Sequence, residues 1–501
     1  MTPRKPVPAK RAPTTGLRKG SPAYVYGAIP DDAFGTKTDR QPPKGPEAPA
    51  LTQDERFEYL VHNPDLYAAA TALPGPSRVG RPAHYPPAVY LIFLCSISLF
   101  GSARSTASHL QRPLWWEAVR RGVRAHQGDQ AAEALKDTGP SRSNWNHYFH
   151  KHLKPAHATV RDISRDLWIQ QALDHGMMKE SSKRTSRIYP ERHQVLHGDA
   201  TVAAPPSSHT EHETVDTTTG EVRTHRVDKD AGITTEGGGR QVYGNKFLSV
   251  GVRLANRAHS RVILALESIR HRSQEEDPER EAEGAAFVGM VKHILTRAPG
   301  LRAATYDAAL RGVHRAPLIT AGLLVFTPQH SGLPPQSLQR YQHGSCKHDL
   351  YVVEARVCER RITVDGQSHY TPLPVDELEY RQGKRNRFYH RLTIPCRFND
   401  HTLRVRVDET DDDRQIDPTT GKKRFNRTEH LRQVPPDTPA GRRLKGFRQD
   451  SESTHSRFDQ SYPHKRVPAY GAKGALLMYL GYAWLNNSVT RAMNLRAPLV
   501  A

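Results

Sequence analysis

The chain has 501 residues, with 73 lysines and arginines against 52 aspartates and glutamates, a formal net charge of +21 at pH 7. At roughly 100–200 residues per domain that length allows two to four domains, and the basic balance points to a polyanionic partner. A hydrophobic share of 36% excludes a polytopic membrane protein.

Residues 1–50 alternate Pro, Gly, Lys and Arg without an apolar period, and contain no apolar run of the kind a secretory signal needs. They read as a disordered basic arm, either a phosphate-binding tail or a solubilising leader. Residues 51–190 read as a helical domain, because 54–62, 85–99, 115–124 and 159–175 carry apolar residues at i, i+3 and i+4. The longest apolar run, 88–100, is shorter than the roughly 18 residues of a membrane span, so no membrane partner is expected. The segment SRSNWNHYFHKHL (141–153) predicts a helix capped by Ser141, with Trp145 and Tyr148 turned inward. Its exposed positions are Arg142, Asn144, His147, His150 and Lys151. Such a helix suits a DNA major groove and is equally an ordinary basic surface helix.

From residue 191 the period changes. Strands are expected at 193–202, 246–254 and 261–268, a helix at 281–296, a strand at 301–306, a helix at 312–321 and a buried strand at 323–327. That order over 191–329 is a mixed α/β core. Residues 330–444 alternate at period two in LYVVEARV, RRITVDG, YHRLTIPCRF and HTLRVRV, the pattern of a β-rich unit. Helical character returns over 445–501, where Leu476, Leu477, Leu480, Ala483 and Trp484 form a stripe that reads as core.

Carboxylates at the ends of core elements are the candidate chemistry. Asp199 lies in VLHGDATV, Asp307 in RAATYDAALRG, and Glu452 in FRQDSESTHSRFD with Arg448 one turn before it. Paired metal ions held by two or three carboxylates activate water for in-line displacement at phosphorus. Singly, each has a plain alternative: a turn residue for Asp199, a helix cap for Asp307, an i, i+4 surface pair for Glu452 with Arg448. Asp450 and Glu429 are the nearest substitutes for Glu452. Lys246, in YGNK, is either close to a scissile phosphate or a core-edge lysine. The four cysteines (Cys95, Cys346, Cys358, Cys396) form no Cys-x-x-Cys pair, which argues against a disulfide scaffold and a cysteine-based zinc ribbon.

Taken together, HGDAT, TYDAALRG, the β-rich insertion and the Arg448-x-x-x-Glu452 pair resemble the DDE transposases of bacterial insertion sequences, of the cut-and-paste type. The resemblance covers roughly residue 192 to the end. It implies an RNase H-like mixed-sheet core interrupted by an all-β insertion and preceded by an α-helical DNA-binding domain. It also implies that Asp199, Asp307 and Glu452 are catalytic metal ligands for two Mg²⁺ ions, with Mn²⁺ as a substitute, and that Arg448 faces DNA phosphate. The implied partners are double-stranded DNA, as terminal inverted repeats and as target, and a second copy of the chain on paired ends. The implied location is cytoplasmic, on the nucleoid. Where the family often has a tyrosine before the arginine and a lysine after the glutamate, this chain has Lys445 and Asp459. Lys465 and Lys473 are candidate substitutes for that lysine. The alternatives are a transposase-derived DNA-binding protein without activity and an RNase H-like nuclease without strand transfer.

Overall fold

The computed structural model describes residues 14–16, 24–35, 50–73, 85–180, 187–235, 239–271, 280–329, 333–419, 421 and 423–496. Its strands are β1 (Thr14–Gly16), β2 (Tyr24–Tyr26), β3 (Val195–Ala203), β4 (Glu213–Val215), β5 (Val222–Thr224), β6 (Gly232–Thr235), β7 (Gln241–Arg253), β8 (Arg261–Ser268), β9 (Ala303–Thr305), β10 (Leu324–Phe326), β11 (Gln336–His343), β12 (Cys346–Val353), β13 (Arg356–Ile362), β14 (Ser368–Pro372), β15 (Val375–Arg381), β16 (Arg387–Ile394) and β17 (His401–Arg406). Its helices are α1 (Gln53–Val61), α2 (Pro64–Thr71), α3 (Pro87–Phe100), α4 (Ala103–Leu110), α5 (Pro113–Gln127), α6 (Asp129–Glu133), α7 (Arg142–Tyr148), α8 (His157–Asp174), α9 (Glu283–Arg297), α10 (Gly312–Thr320), α11 (Asp411–Arg414), α12 (Arg427–His430), α13 (Pro439–Gln460) and α14 (Ala472–Arg496). The fold is mixed α/β. Among the described residues, no single helix is long and apolar enough to cross a membrane.

Two compact units share the chain. One comprises Gln41–Glu180, Arg192–Gly300 and Gln449–Ala501. At its centre is α3, which Pro86 and Pro87 open and Gly101 closes in the left-handed conformation (φ 81°). Every residue from Ala88 to Leu99 is buried. A helix apolar on all sides needs neighbours on all sides. Tyr148 and Trp145 of α7 stack on Tyr90 and Phe93 at 3.8 and 4.5 Å. The long helix α14 comes so close that a Cβ on Gly481 would stand 2.8 Å from the Leu94 carbonyl oxygen. The same helix packs on α8 and β8. Trp484 Nε1 donates to Ser164 Oγ at 2.8 Å, and the Asn487 side chain bonds the Ile263 backbone N–H and C=O at 3.0 and 2.8 Å. The expected core stripe of α14 is therefore buried. The helices of 51–190, however, are not a separate domain: their central member needs α14 to cover it. In the sheet of this unit, β7 pairs antiparallel with β3, β6 and β8.

The other unit comprises Met1–Arg40, Ser181–Glu191 and Leu301–Arg448. It contains parallel β9 and β10 joined through α10, so the expected boundary at 329/330 is not a boundary between compact units. The β-rich segment forms β14-β13-β12-β11 in one sheet and β15-β16-β17 in another, all antiparallel. The basic arm needs a correction. Residues 24–35 are built in: β2 pairs parallel with β14, and Tyr24, Tyr26 and Phe34 are buried. Asp32 accepts from the buried Arg356 at 2.6 Å. Burial of three aromatic side chains and a paired charge offsets the ordering of a short segment that has no period of its own. The rest of the arm, apart from β1, lies outside the described residues.

Candidate functional site: core carboxylates and an arginine-anchored helix

Asp199 sits inside β3, opposite Ser249 on β7, and is therefore not a turn residue. Its side chain is 14% exposed, and Oδ2 lies 3.8 Å from His455 Nδ1. The other ring nitrogen of His455 is 2.8 Å from Ser249 Oγ. A strand hydroxyl thus fixes the imidazole that stands beside the Asp199 carboxylate.

His455 belongs to α13, and four more contacts hold that stretch of α13 to its unit. Ser451 Oγ bonds His197 Nδ1 at 2.8 Å, and Phe458 stacks on Tyr479 at 4.0 Å. Arg261 Nη1 donates to Thr454 Oγ1 at 2.6 Å. The fourth contact is ionic: Asp450 takes Arg192, Arg253 and Arg261 at 2.8, 2.7 and 3.2 Å. Burial alone would push the Asp450 carboxyl up, but His197, once protonated in acid, and the three arginines outweigh it and hold it down at about 2. Burial drives the His197 imidazole down to about 3, so it is neutral at pH 7 and serves as a hydrogen-bonding partner.

Residues 450, 451, 454, 455 and 458 thus face the protein, and Glu452 is left on the exposed side. Glu452 precedes His455 by three residues, so the two share a flank of the helix. Asp450, one of the two substitutes for Glu452, is neutralised by arginines and is a structural anchor. So is Glu429, which accepts from the Gly312 N–H and is ion-paired with Arg311, whose Nε lies 2.7 Å away.

The remaining candidates fall as follows. Asp307 lies two residues beyond β9, where Oδ1 accepts from the Ala309 N–H at 2.8 Å. The cap of α10 is Arg311, so Asp307 is not a helix cap. Arg448 is a half-buried residue of α13, and Asp459 follows Glu452 by two turns on the same helix. The Lys246 ammonium is bound to Glu283 at 2.6 Å with both side chains largely buried, which makes it the core-edge lysine. On α7, Arg142 is exposed, but the Asn144 amide oxygen accepts from Ser141 N and Oγ in a capping box and is not available to a base. Lys151 is exposed on the π-turn that follows, Phe149–Leu153.

One cluster was missed in the sequence. Cys346, His348, Cys396 and His401 bring one donor atom each to within 4.8 Å of one another. Among the described residues this is the one such group of three or more metal-ligating side chains. The sequence signal is two short pairs, Cys-x-His and Cys-x₄-His, which a search for Cys-x-x-Cys does not find. No protein-family model and no curated protein matches the chain.

Proposed function

We propose that this chain is a DDE-type DNA transposase with an RNase H-like core. In this reading it cuts the ends of its element and joins the freed 3′-OH to target DNA by in-line phosphoryl transfer. The observation that carries the reading is the seating of α13: five anchoring residues surround Glu452, and the next turn reaches Asp199 through His455. A surface ion pair alone has no use for a buried carboxylate held by three half-buried arginines beneath it. The order β3, β7, β8, α9, β9, α10, β10, then the β-rich segment and α13, supports the same reading, as does the +21 charge. Asp307 is assigned by its place in that order.

The donor set suits a hard cation, since Asp199, Asp307 and Glu452 offer carboxylate oxygens, which favour Mg²⁺ or Mn²⁺ over softer metals. These residues would hold two such ions, which would supply the charge needed to activate a water and to stabilise the leaving 3′ oxygen. The protein's own part is orientation. His455, fixed by Ser249, limits the rotation of the Asp199 carboxylate, and the arginine anchor at Asp450 keeps the Glu452 turn in register. Arg448, Arg142 and Lys151 are assigned to DNA phosphates, and two copies of the chain pair two ends.

The test is cleavage of a labelled duplex carrying the repeat that flanks the reading frame. The parent cuts with Mg²⁺ or Mn²⁺ and joins the end to plasmid DNA. Asp199→Asn, Asp307→Asn and Glu452→Gln bind the duplex and neither cut nor join. Parental cutting by any one of them removes that residue from the site, and metal-independent or absent cutting by the parent overturns the proposal.

A further inference from the structure

We infer that Cys346, His348, Cys396 and His401 form a structural zinc site that ties the two sheets of the β-rich segment together. The inference does not depend on the transposase reading. Cys346 opens β12 just after a turn at Gly344 (φ 56°), and His348 lies two residues on, on the same face of the strand. Cys396 follows β16 by two residues and His401 opens β17, where it pairs with Ile394. The ligands therefore come from the ends of two hairpins, β11–β12 in one sheet and β16–β17 in the other.

The chemistry of the donors selects the ion. The cysteines are free thiols with Sγ atoms 3.4 Å apart, well beyond a disulfide bond of about 2.05 Å. The Nε2 atoms of His348 and His401 are buried and have no hydrogen-bond partner. Two thiols and two unpartnered imidazole nitrogens turned to one point are a Cys₂His₂ set, which zinc binds as a tetrahedron. With Zn–S of about 2.3 Å and Zn–N of about 2.0–2.1 Å, the edges of that tetrahedron run from ~3.3 to ~3.8 Å. The observed separations of 4.8 Å or less exceed those edges by at most ~1.5 Å, and the two sulfur atoms at 3.4 Å already stand within the longest edge. Supporting contacts are in place. Glu359 Oε1 accepts from His348 Nδ1 at 2.7 Å, which fixes the tautomer that leaves Nε2 free for the metal. Asp400 Oδ1 accepts from the Cys396 N–H at 3.2 Å and holds the loop between the second pair. Four protein ligands leave no open position, so the site stabilises the fold and does not catalyse.

The experiment measures zinc in the full chain purified without chelator, followed by Co²⁺ replacement and melting. The expected parent carries one zinc per chain and, with Co²⁺, shows the visible bands of a tetrahedral site with thiolate charge transfer. It melts at a lower temperature once chelated. Cys396→Ser loses the zinc and the chelator response, while His401→Cys, which keeps four ligands, retains zinc with a thiolate-richer cobalt spectrum. Glu359→Gln weakens zinc affinity by roughly 10–100-fold. A parent without zinc that gives no cobalt spectrum overturns the inference. So does a Cys346–Cys396 disulfide in freshly purified protein, or unchanged zinc in Cys396→Ser.

Discussion

Replacing Asp450 tests whether charge holds the helix that carries Glu452. Asp450→Ala leaves Arg192, Arg253 and Arg261 facing one another where the carboxylate side chain is 6% exposed. Stranding buried charge in this way costs about 3–5 kcal/mol. With a urea slope near 3 kcal/mol/M, the unfolding midpoint falls by about 1–2 M. The readout is specific, because all five tryptophans (Trp115, Trp116, Trp145, Trp168 and Trp484) lie in the unit that contains Asp450, so fluorescence follows that unit alone. The acid limb gives a second measure. A carboxyl at about 2 in the fold and near 3.8 when unfolded contributes stability that is complete above pH 4 and lost as pH falls toward 2. The whole effect is ~2.5 kcal/mol, of which about 1 kcal/mol is gone by pH 3. The isosteric Asp450→Asn lacks that part of the pH dependence. An Asp450→Ala midpoint within about 0.3 M of the parent would refute a charge-held helix. A further loss of stability on adding Arg253→Leu to Asp450→Ala would do the same, since removing a stranded cation should restore some of it.

Ser249→Ala removes the hydroxyl that fixes His455 and costs about 0.5–1.5 kcal/mol by melting. Single-turnover cleavage should slow while duplex binding holds, and parental cleavage would show that His455 does not orient Asp199. Gly481→Ala forces α14 away from the Leu94 carbonyl and destabilises by about 1–3 kcal/mol, read by the same tryptophan signal; a neutral result would mean that the two helices part without strain. Deleting residues 1–50 strips Asp32 from buried Arg356 and costs about 3–5 kcal/mol, whereas deleting 1–13 leaves that pair intact. The shorter deletion should only flatten the salt dependence of duplex binding, its log–log slope falling by ~0.9 for each phosphate no longer neutralised. Equal melting temperatures for the two truncations would return residues 24–35 to a mere leader.

Much of the core was legible because its signals are local. The strand expected at 261–268 and the helix at 312–321 match β8 and α10 to within a residue, since β-branched alternation and helical spacing are read over a few positions. The inward turn of Trp145 and Tyr148 followed from the same spacing. What stayed hidden depends on partners distant in the chain. Asp450 and Glu429 resemble surface carboxylates until arginines from other segments close on them. β2 is three residues long, too short to show a period, and the zinc ligands lie in two pairs some 50 residues apart. Lys246 could be read either way until Glu283 was seen beside it.

The parallel pairing of β2 with β14 also bears on synthesis. Tyr24 meets its partner Ser368 only after 344 more residues have been made (368 − 24). At about 5–20 residues per second, the ribosome needs roughly 17–70 s to deliver that partner. For that interval Tyr24 and Tyr26 have only the three-residue β1 to pair with, and β14, which completes their sheet, does not yet exist. The N-terminal aromatic segment is thus a natural client for a chaperone that acts near the exit tunnel, and slowing translation downstream of residue 50 should increase aggregation of the nascent chain.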